Sequence, residues 1–263
     1  MAALYNEIDP DAAHVLRALI SEGVIAPGVV DTRSIKELTP DDVKGFTQVH
    51  FFAGGGLWSV AARLAGWPDD RPLWTGSCPC QPFSAAGKGG GVDDPRHLWP
   101  DFFRLIRACR PPVVMGEQVA GAPGYGWFDG VRSDLAGEDY ASRCVDIPAC
   151  AVDAPHIRQR LYWIAVADAD TCRRAGRQKD AQRGALGRTA DERPVVRNGS
   201  FWSDAEWLAC HDGKARRTKP GLRLLVDGMA GRVPAWRLAG NAIVAPLAAE
   251  VIAAILDTER AAA

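Results

Sequence analysis

TQVHFFAGGGLWSVAARLAG, residues 47–66, reads in three parts. An apolar run through Val49, Phe51 and Phe52 has the length and composition of a buried strand, and glycines 54–56 interrupt it. Trp58, Ala61, Ala62 and Ala65 then recur at helical spacing, which predicts a helix over residues 57–66. Strand, glycine loop and helix make one unit, and similar units lie on both sides. Downstream come RPLWTGSC (71–78) as a strand, HLWPDFFRLIRACR (97–110) as a helix, and PPVVMGEQV (111–119) and QRLYWIAVA (159–167) as strands. Upstream, ALYNEI (3–8) and GVVD (28–31) read as strands, AAHVLRALISEG (12–23) as a helix with a glycine stop, and IKELTPDDVKGF (35–46) as helix or turn. Strands alternating with helices predict an α/β fold, a doubly wound and mostly parallel sheet. Ligands of such sheets sit at the carboxyl ends of the strands.

Composition excludes more than it selects. With 263 residues and 47% hydrophobic content the chain can bury a sizeable core, and 31 basic against 32 acidic residues leave a net charge of −1. No global charge advertises nucleic acid, so any such role must be local. Glu7, Asp9 and Asp11 stand where a signal peptide would carry basic residues, and no apolar run reaches the roughly 20 residues of a membrane span. A cytoplasmic protein with no membrane partner is expected. Seven scattered cysteines, at positions 78, 80, 109, 144, 150, 172 and 210, do not form a disulfide framework or the paired spacing of a zinc site, and no metal is expected.

The expected strand ends carry Glu7, Asp31, the loop AGGG (53–56), CPCQ (78–81) and GEQV (116–119). Singly, the acids read as helix caps or solvated charges and the glycines as a turn; together, all at strand ends, they point to one crevice. Within CPCQ three readings compete: a metal clip, a redox pair, or a single nucleophile on a loop. Redox pairs ordinarily space their cysteines two residues apart rather than one, which weakens the second.

Four segments resemble motifs of the DNA cytosine-5 methyltransferases: PCQPFSAAGKGGGVDDPRHLW (79–99), GEQV, APHIRQRLYWIA (154–165) and AGNAIVAPLAAEVI (239–252), in that family's order. The N-terminal third departs from it. NEIDPDAAHVLRAL (6–19) resembles the family's second motif and GVVDTRSI (28–35) its third, yet both precede the glycine loop that normally comes first. The resemblance therefore implies a permuted, phage or bacterial type of chain, in which two strands have moved upstream. The helix after the glycine loop must then lead to a strand on the other side, either by packing on the opposite face or by a detour through WPDDRP (67–72).

The resemblance implies S-adenosylmethionine as cofactor. A strand-end carboxylate can accept both ribose hydroxyls, an aspartate can accept an adenine amine, and an aromatic ring can lie against the base; Glu7, Asp31 and Phe52 fit these roles. Glycines 54 and 56 allow close backbone approach, and Ile8, Thr32, Pro79, Leu98 and Asn241 fall at further contact positions. Leu57 stands where the family has a second glycine, which puts the loop shape in question. In that setting Cys80 is the nucleophile that attacks C6 of cytosine, Glu117 holds N3 and the exocyclic amine, and Arg160 and Arg158 face O2. His156 and Gln118 replace the family's glutamine and asparagine.

The implied partner is double-stranded DNA with the target base flipped out, bound by a chain expected to be a monomer. Residues 171–219 hold twelve basic and six acidic residues, a local excess of +6, where the family carries target recognition. Three parts are expected: a catalytic domain over 1–169, a short target-recognition region over 170–222, and a return to the catalytic domain over 223–263. Alternatives are a catalytically decayed DNA-binding protein of this fold, or a related enzyme that places another one-carbon group on cytosine.

Overall fold

The computed structural model describes residues 3–79, 97–154, 156–167, 206–209, 215–218 and 242–260. Five parallel strands, β1 (Ala3–Asn6), β2 (Gly28–Asp31), β3 (Gln48–Phe51), β4 (Leu73–Gly76) and β5 (Val113–Val119), form most of a seven-stranded sheet. The antiparallel pair β6 (Tyr140–Pro148) and β7 (Gln159–Ala167) completes it, in the order β2-β1-β3-β4-β5-β7-β6. Both faces of the inner strands are covered by helices, so β1, β3 and β4 are buried at every position, the polar Asn6, Gln48, His50 and Thr75 included.

The helices are α1 (Pro10–Ser21), α2 (Pro40–Val43), α3 (Leu57–Leu64), α4 (Trp99–Cys109), α5 (Ala122–Gly137) and α6 (Ala245–Arg260). Leu4, Val49, Phe51, Trp74 and Val114 point to one face, where they pack with Val43 of α2, Phe102, Leu105 and Ile106 of α4, and Trp127 and Phe128 of α5. Alternate residues point the other way. Tyr5 packs with Leu16 of α1 and Val60 of α3, while Leu73, Val113 and Met115 pack with Trp58 and Ala61 of α3 and Leu247, Ala248 and Ile252 of α6.

This layering answers how the glycine unit connects. From β1 to β2 the chain steps one way with α1 on the α3/α6 face; from β3 to β4 it steps the opposite way with α3 on that same face. The two crossovers therefore have opposite hands. The β2-to-β3 and β4-to-β5 connections step the same way as β3 to β4 but over the other face, and so match β1-α1-β2. Three right-handed crossovers and one left-handed, β3-α3-β4, is the consistent assignment, against a strong general preference for the right hand. α3 keeps its face, and residues 65–72 carry the chain around to β4.

Two elements have little sequence signal. The helix α5 includes Gly124, Gly126, Gly130 and Gly137, and β6 alternates more and less buried positions from Tyr140 to Asp146 while placing Ser142 and Asp146 on the buried side and Val145 on the exposed one. A separate two-stranded hairpin, β8 (Glu206–Ala209) and β9 (Ala215–Thr218), sits in the segment expected to recognise the target. Among the described residues no helix is long and apolar enough to cross a membrane.

Candidate active site

The carboxyl ends of the parallel strands form one line. Asn6 stands level with Asp31 on one side and Phe51 on the other, and Phe51 is level with Gly76. Past that line each strand delivers one of the expected groups.

Glu7 follows β1 directly. One carboxylate oxygen accepts from the Asp9 amide and the other from the Gly54 amide, both at 2.8 Å. It thus ties the β1 end to the glycine loop while each oxygen keeps acceptor capacity. The loop bends through left-handed positions at Phe52 (φ 52°), Gly54 (φ 52°) and Gly56 (φ 70°). A side chain at Gly56 would press on Leu16 and Ile25 at 3.1 Å, so glycine is required there both for conformation and for space. Leu57 raises no such conflict: it is the first residue of α3, half-buried, and packs against the core beneath that helix. A second glycine is not needed for the turn that Gly56 already makes. Phe52 lies edge-on to Phe102 with ring centroids 6.3 Å apart, half-buried, and Ile8 projects into solvent at 66% exposure.

Asp31 ends β2. Its carboxylate is held by the Arg33 side chain and by the Arg33 amide, and this keeps its proton affinity below the ordinary carboxylate range. Thr32 beside it is exposed, while Pro79 and Leu98 are half-buried and flank the segment between β4 and α4. Cys80 and Asn241 lie outside the described residues, as do residues 171–205. Cys78 is fully buried in the core and its thiol is pushed up by that burial, a poor state for either a metal clip or a redox pair.

At the end of β5, Glu117 is 8% exposed, and Arg160 of β7 donates from Nε to its carboxylate at 2.8 Å. Burial pushes the carboxyl up; Arg160 and then Arg158 oppose the shift without cancelling it. Gly116 beneath is obligatory, because a side chain there would meet the Gly76 carbonyl at 2.4 Å and the Trp163 ring at 2.5 Å. Arg158 donates to the Ala242 carbonyl at 2.9 Å, joining the β7 entrance to the residues leading into α6. His156, next to it, is held towards the neutral form first by partial burial and then by Arg158. Gln118 is buried on the other face; its carbonyl accepts from the Val119 amide at 3.0 Å, and its amide nitrogen has no hydrogen-bond partner among the described residues.

The structure thus brings Glu7, Asp31, the glycine loop, Glu117, Arg158 and Arg160 to one edge of the sheet. Sequence reading missed Asn6, Arg33 and Trp58. Asn6, buried in β1, donates to the carbonyls of Asp31 and Arg33, and Trp58 donates to the Ser77 hydroxyl at 3.0 Å, fixing α3 to the chain just before Pro79. A polar residue inside an apolar strand run was the available signal for Asn6.

A family model described as "C-5 cytosine-specific DNA methylase" matches residues 64–201, more than half of the chain. Among curated proteins, the type II methyltransferase M.HgiCII of Herpetosiphon aurantiacus is 48% identical over 81 residues, covering 24% of this chain and 18% of that protein. The type II methyltransferase M.NgoMIV of Neisseria gonorrhoeae is 45% identical over 53 residues, covering 20% and 17%. These matches span less than a fifth of either relative's length. Among solved structures, a DNMT2 variant from Spodoptera frugiperda aligns at 19% identity with a TM-score of 0.43, over 64% of this chain and 43% of that one.

Proposed function

Because this chain belongs to the C-5 cytosine-specific DNA methylase family, we propose that it methylates C5 of a flipped-out cytosine in DNA, with S-adenosylmethionine as donor and Cys80 as nucleophile. The observation that supports this reading best is the pairing of the buried Glu117 with the half-buried Arg160 at the end of β5, on the same sheet edge as Glu7, Asp31 and the glycine loop.

The strand-end groups suit the cofactor chemically. Glu7 keeps acceptor capacity on both oxygens for ribose hydroxyls, Asp31 offers an acceptor to an adenine amine, and Phe52 offers a half-buried aromatic ring beside a loop that lacks side chains at 54–56. Ile8, Thr32, Pro79, Leu98 and Asn241 complete the contacts in this proposal. When bound, the cofactor supplies an electrophilic methyl group for C5.

The chain supplies the rest. The Cys80 thiolate adds to C6, and electron density moves into the ring towards C5, which is otherwise a poor nucleophile. Glu117, protonated more readily than a solvated carboxyl, donates to N3 as charge builds there and accepts from the exocyclic amine. Arg160 orients Glu117 and, with Arg158, presents positive charge to O2. Once C5 is methylated, its proton passes to water, the electron pair re-forms the C5–C6 double bond and expels the Cys80 thiolate, and N3 returns its proton to Glu117. A cytosine inside a duplex cannot reach these groups, so the base is extruded. The basic segment 171–219, which includes the hairpin with Arg216 and Arg217 on adjacent positions of β9, grips the phosphates.

Mass spectrometry of nucleosides from DNA of cells expressing the chain tests this directly. 5-Methylcytosine should appear with the native chain and vanish with Cys80→Ala. A different C5 substituent would point to another one-carbon chemistry. Purified protein that binds DNA but neither cofactor nor methyl acceptor would mark a decayed enzyme, and either result would overturn the proposal.

A further inference from the structure

Asp31 is more tightly held than a simple ligand acceptor needs to be. The Arg33 amide donates to Oδ1 at 2.9 Å, Arg33 Nε reaches both oxygens at 3.1 Å, and Nη2 donates to Oδ2 at 2.6 Å. Arg33 is fixed in turn at both ends. Its carbonyl accepts from Asn6 Nδ2 at 2.8 Å, and its Nη2 also reaches Asp42 Oδ1 at 2.8 Å. The second oxygen of Asp42 accepts from the amide and hydroxyl of Thr39 at 2.8 and 2.6 Å, which closes the capping box of α2. A chain of partners thus runs from a helix cap to the carboxylate at the end of β2.

A carboxylate has about four acceptor sites. Three donors of Arg33 (the amide, Nη2, and Nε shared between the two oxygens) leave at most one of them open, on a side chain that retains only 16% exposure. That remaining site can accept but has no hydrogen to give. An exocyclic amine satisfies it; a ring carbonyl in the same place would set oxygen against oxygen, and only protonation of Asp31 would relieve the clash. The Arg33 guanidinium opposes that protonation.

We propose that Arg33, locked by Asp42, is a specificity-determining positioning residue that restricts Asp31 to a single acceptor and so selects a cofactor whose base carries an exocyclic amine over one carrying a carbonyl. The inference rests on the reading of Asp31 as the base contact. Other acidic residues facing Arg33 do not supply this function, since Asp42 is engaged on both oxygens.

The test is calorimetric binding of S-adenosylhomocysteine and of its inosine counterpart to the full chain. The native protein should prefer the adenine form at least tenfold, the scale expected when a buried acceptor loses its donor. Arg33→Met should shrink that preference about tenfold while leaving binding through Glu7 in place, and Arg33→Lys, which keeps charge but not the fork, should fall between. Asp42→Asn, which loosens the lock without touching Arg33, should also reduce the preference. If Asp31→Ala abolishes the preference but Arg33→Met and Asp42→Asn keep it, the inference is overturned and the Asp31 contact stands. If Asp31→Ala alters neither affinity while Glu7→Ala weakens both, the Asp31 contact itself is wrong. Circular dichroism of each variant guards against misfolding; the ratio of two affinities is a readout that a purely structural loss would not move.

Discussion

At the ends of β1, β2 and β3, Asn6, Glu7, Asp31, Arg33 and Asp42 all have partners within the chain, whereas on β5, β6 and β7 the amide nitrogen of Gln118, Oδ1 of Asp146 and the indole nitrogen of Trp163 are buried with no hydrogen-bond partner among the described residues. Burying a polar group unpaired costs about 1–3 kcal/mol, so the second region carries strain that the first does not. The half assigned to the cofactor is finished by its own hydrogen bonds and stands ready. The half assigned to the base combines a carboxyl that burial has shifted with unpaired polar groups on the opposite face of the same strands, Gln118 being next to Glu117 in the chain.

If the two halves are as separable as this contrast suggests, substitutions in one should spare the other. Cys80→Ala should lower methyl transfer by more than about a thousandfold, since covalent attack is lost, with calorimetric cofactor affinity unchanged. A residual rate above that would contradict covalent catalysis, and weakened cofactor binding would break the contrast. DNA containing 5-fluorocytosine should trap the native protein as an adduct, because fluorine does not leave as a proton does. Glu117→Gln keeps shape and a donor but cannot pass a proton, and should reduce single-turnover transfer by about a hundredfold or more, with little change in cofactor affinity.

In the other half the expected effects are smaller and appear in binding. Glu7→Ala should weaken cofactor affinity roughly ten- to a hundredfold, because a charge-assisted pair contributes about 1.5–3 kcal/mol, and it also frees the Gly54 amide. Asp31→Ala should cost less, one amine contact being at stake. Unchanged affinity in both variants, with the protein folded, would remove residues 3–46 from the cofactor site.

Stability should follow a third, milder pattern set by the core under the finished half. His50 is buried against Tyr5 and Thr75, and burial lowers its pKa to about 3. The unfolded chain takes up a proton near pH 6.5 that the folded chain refuses until about pH 3, so stability should be constant above pH 6.5 and decline through that window. At pH 5 the loss should be about 2 kcal/mol from this residue, and His50→Gln should flatten the dependence in urea unfolding measured from pH 7 to pH 5. An equal slope in both proteins would mean the acid sensitivity lies elsewhere.

The finished half was also the more legible in sequence, for a physical reason. Buried parallel strands are short apolar runs, so the first polar residue after each, Glu7 after β1 or the CPCQ segment after β4, marks a strand end without further information. Glu117 was found because GEQV breaks an apolar strand in the same way. Side-chain partnerships across the sheet leave no such mark: Arg33 looks like a solvated charge two residues past Asp31, and nothing local says that Asp42 will hold it. α5 was hidden by glycines that weaken helix propensity, by about 1 kcal/mol each relative to alanine, and are accepted because the buried Trp127, Phe128, Val131 and Leu135 pack regardless. The role of Leu57 depended on whether Gly56 alone could turn the chain, a matter of one dihedral angle.

The left-handed passage from β3 through α3 to β4 has a consequence for how the gene could be written. Ala3, Gln48 and Leu73, where β1, β3 and β4 begin, lie along one edge of the sheet, and the Leu73 amide donates to the carbonyl of Thr47, just before β3, at 3.2 Å. Excising codons 1–46 and splicing them in behind α3, within residues 67–72, would send the chain from β3 to β1, on to β2, and back to β4. Every passage in that product would be right-handed, with the same strands side by side and the same residues at their ends. Such a respliced protein should bind the cofactor as the original does, its thread drawn differently through an unchanged solid.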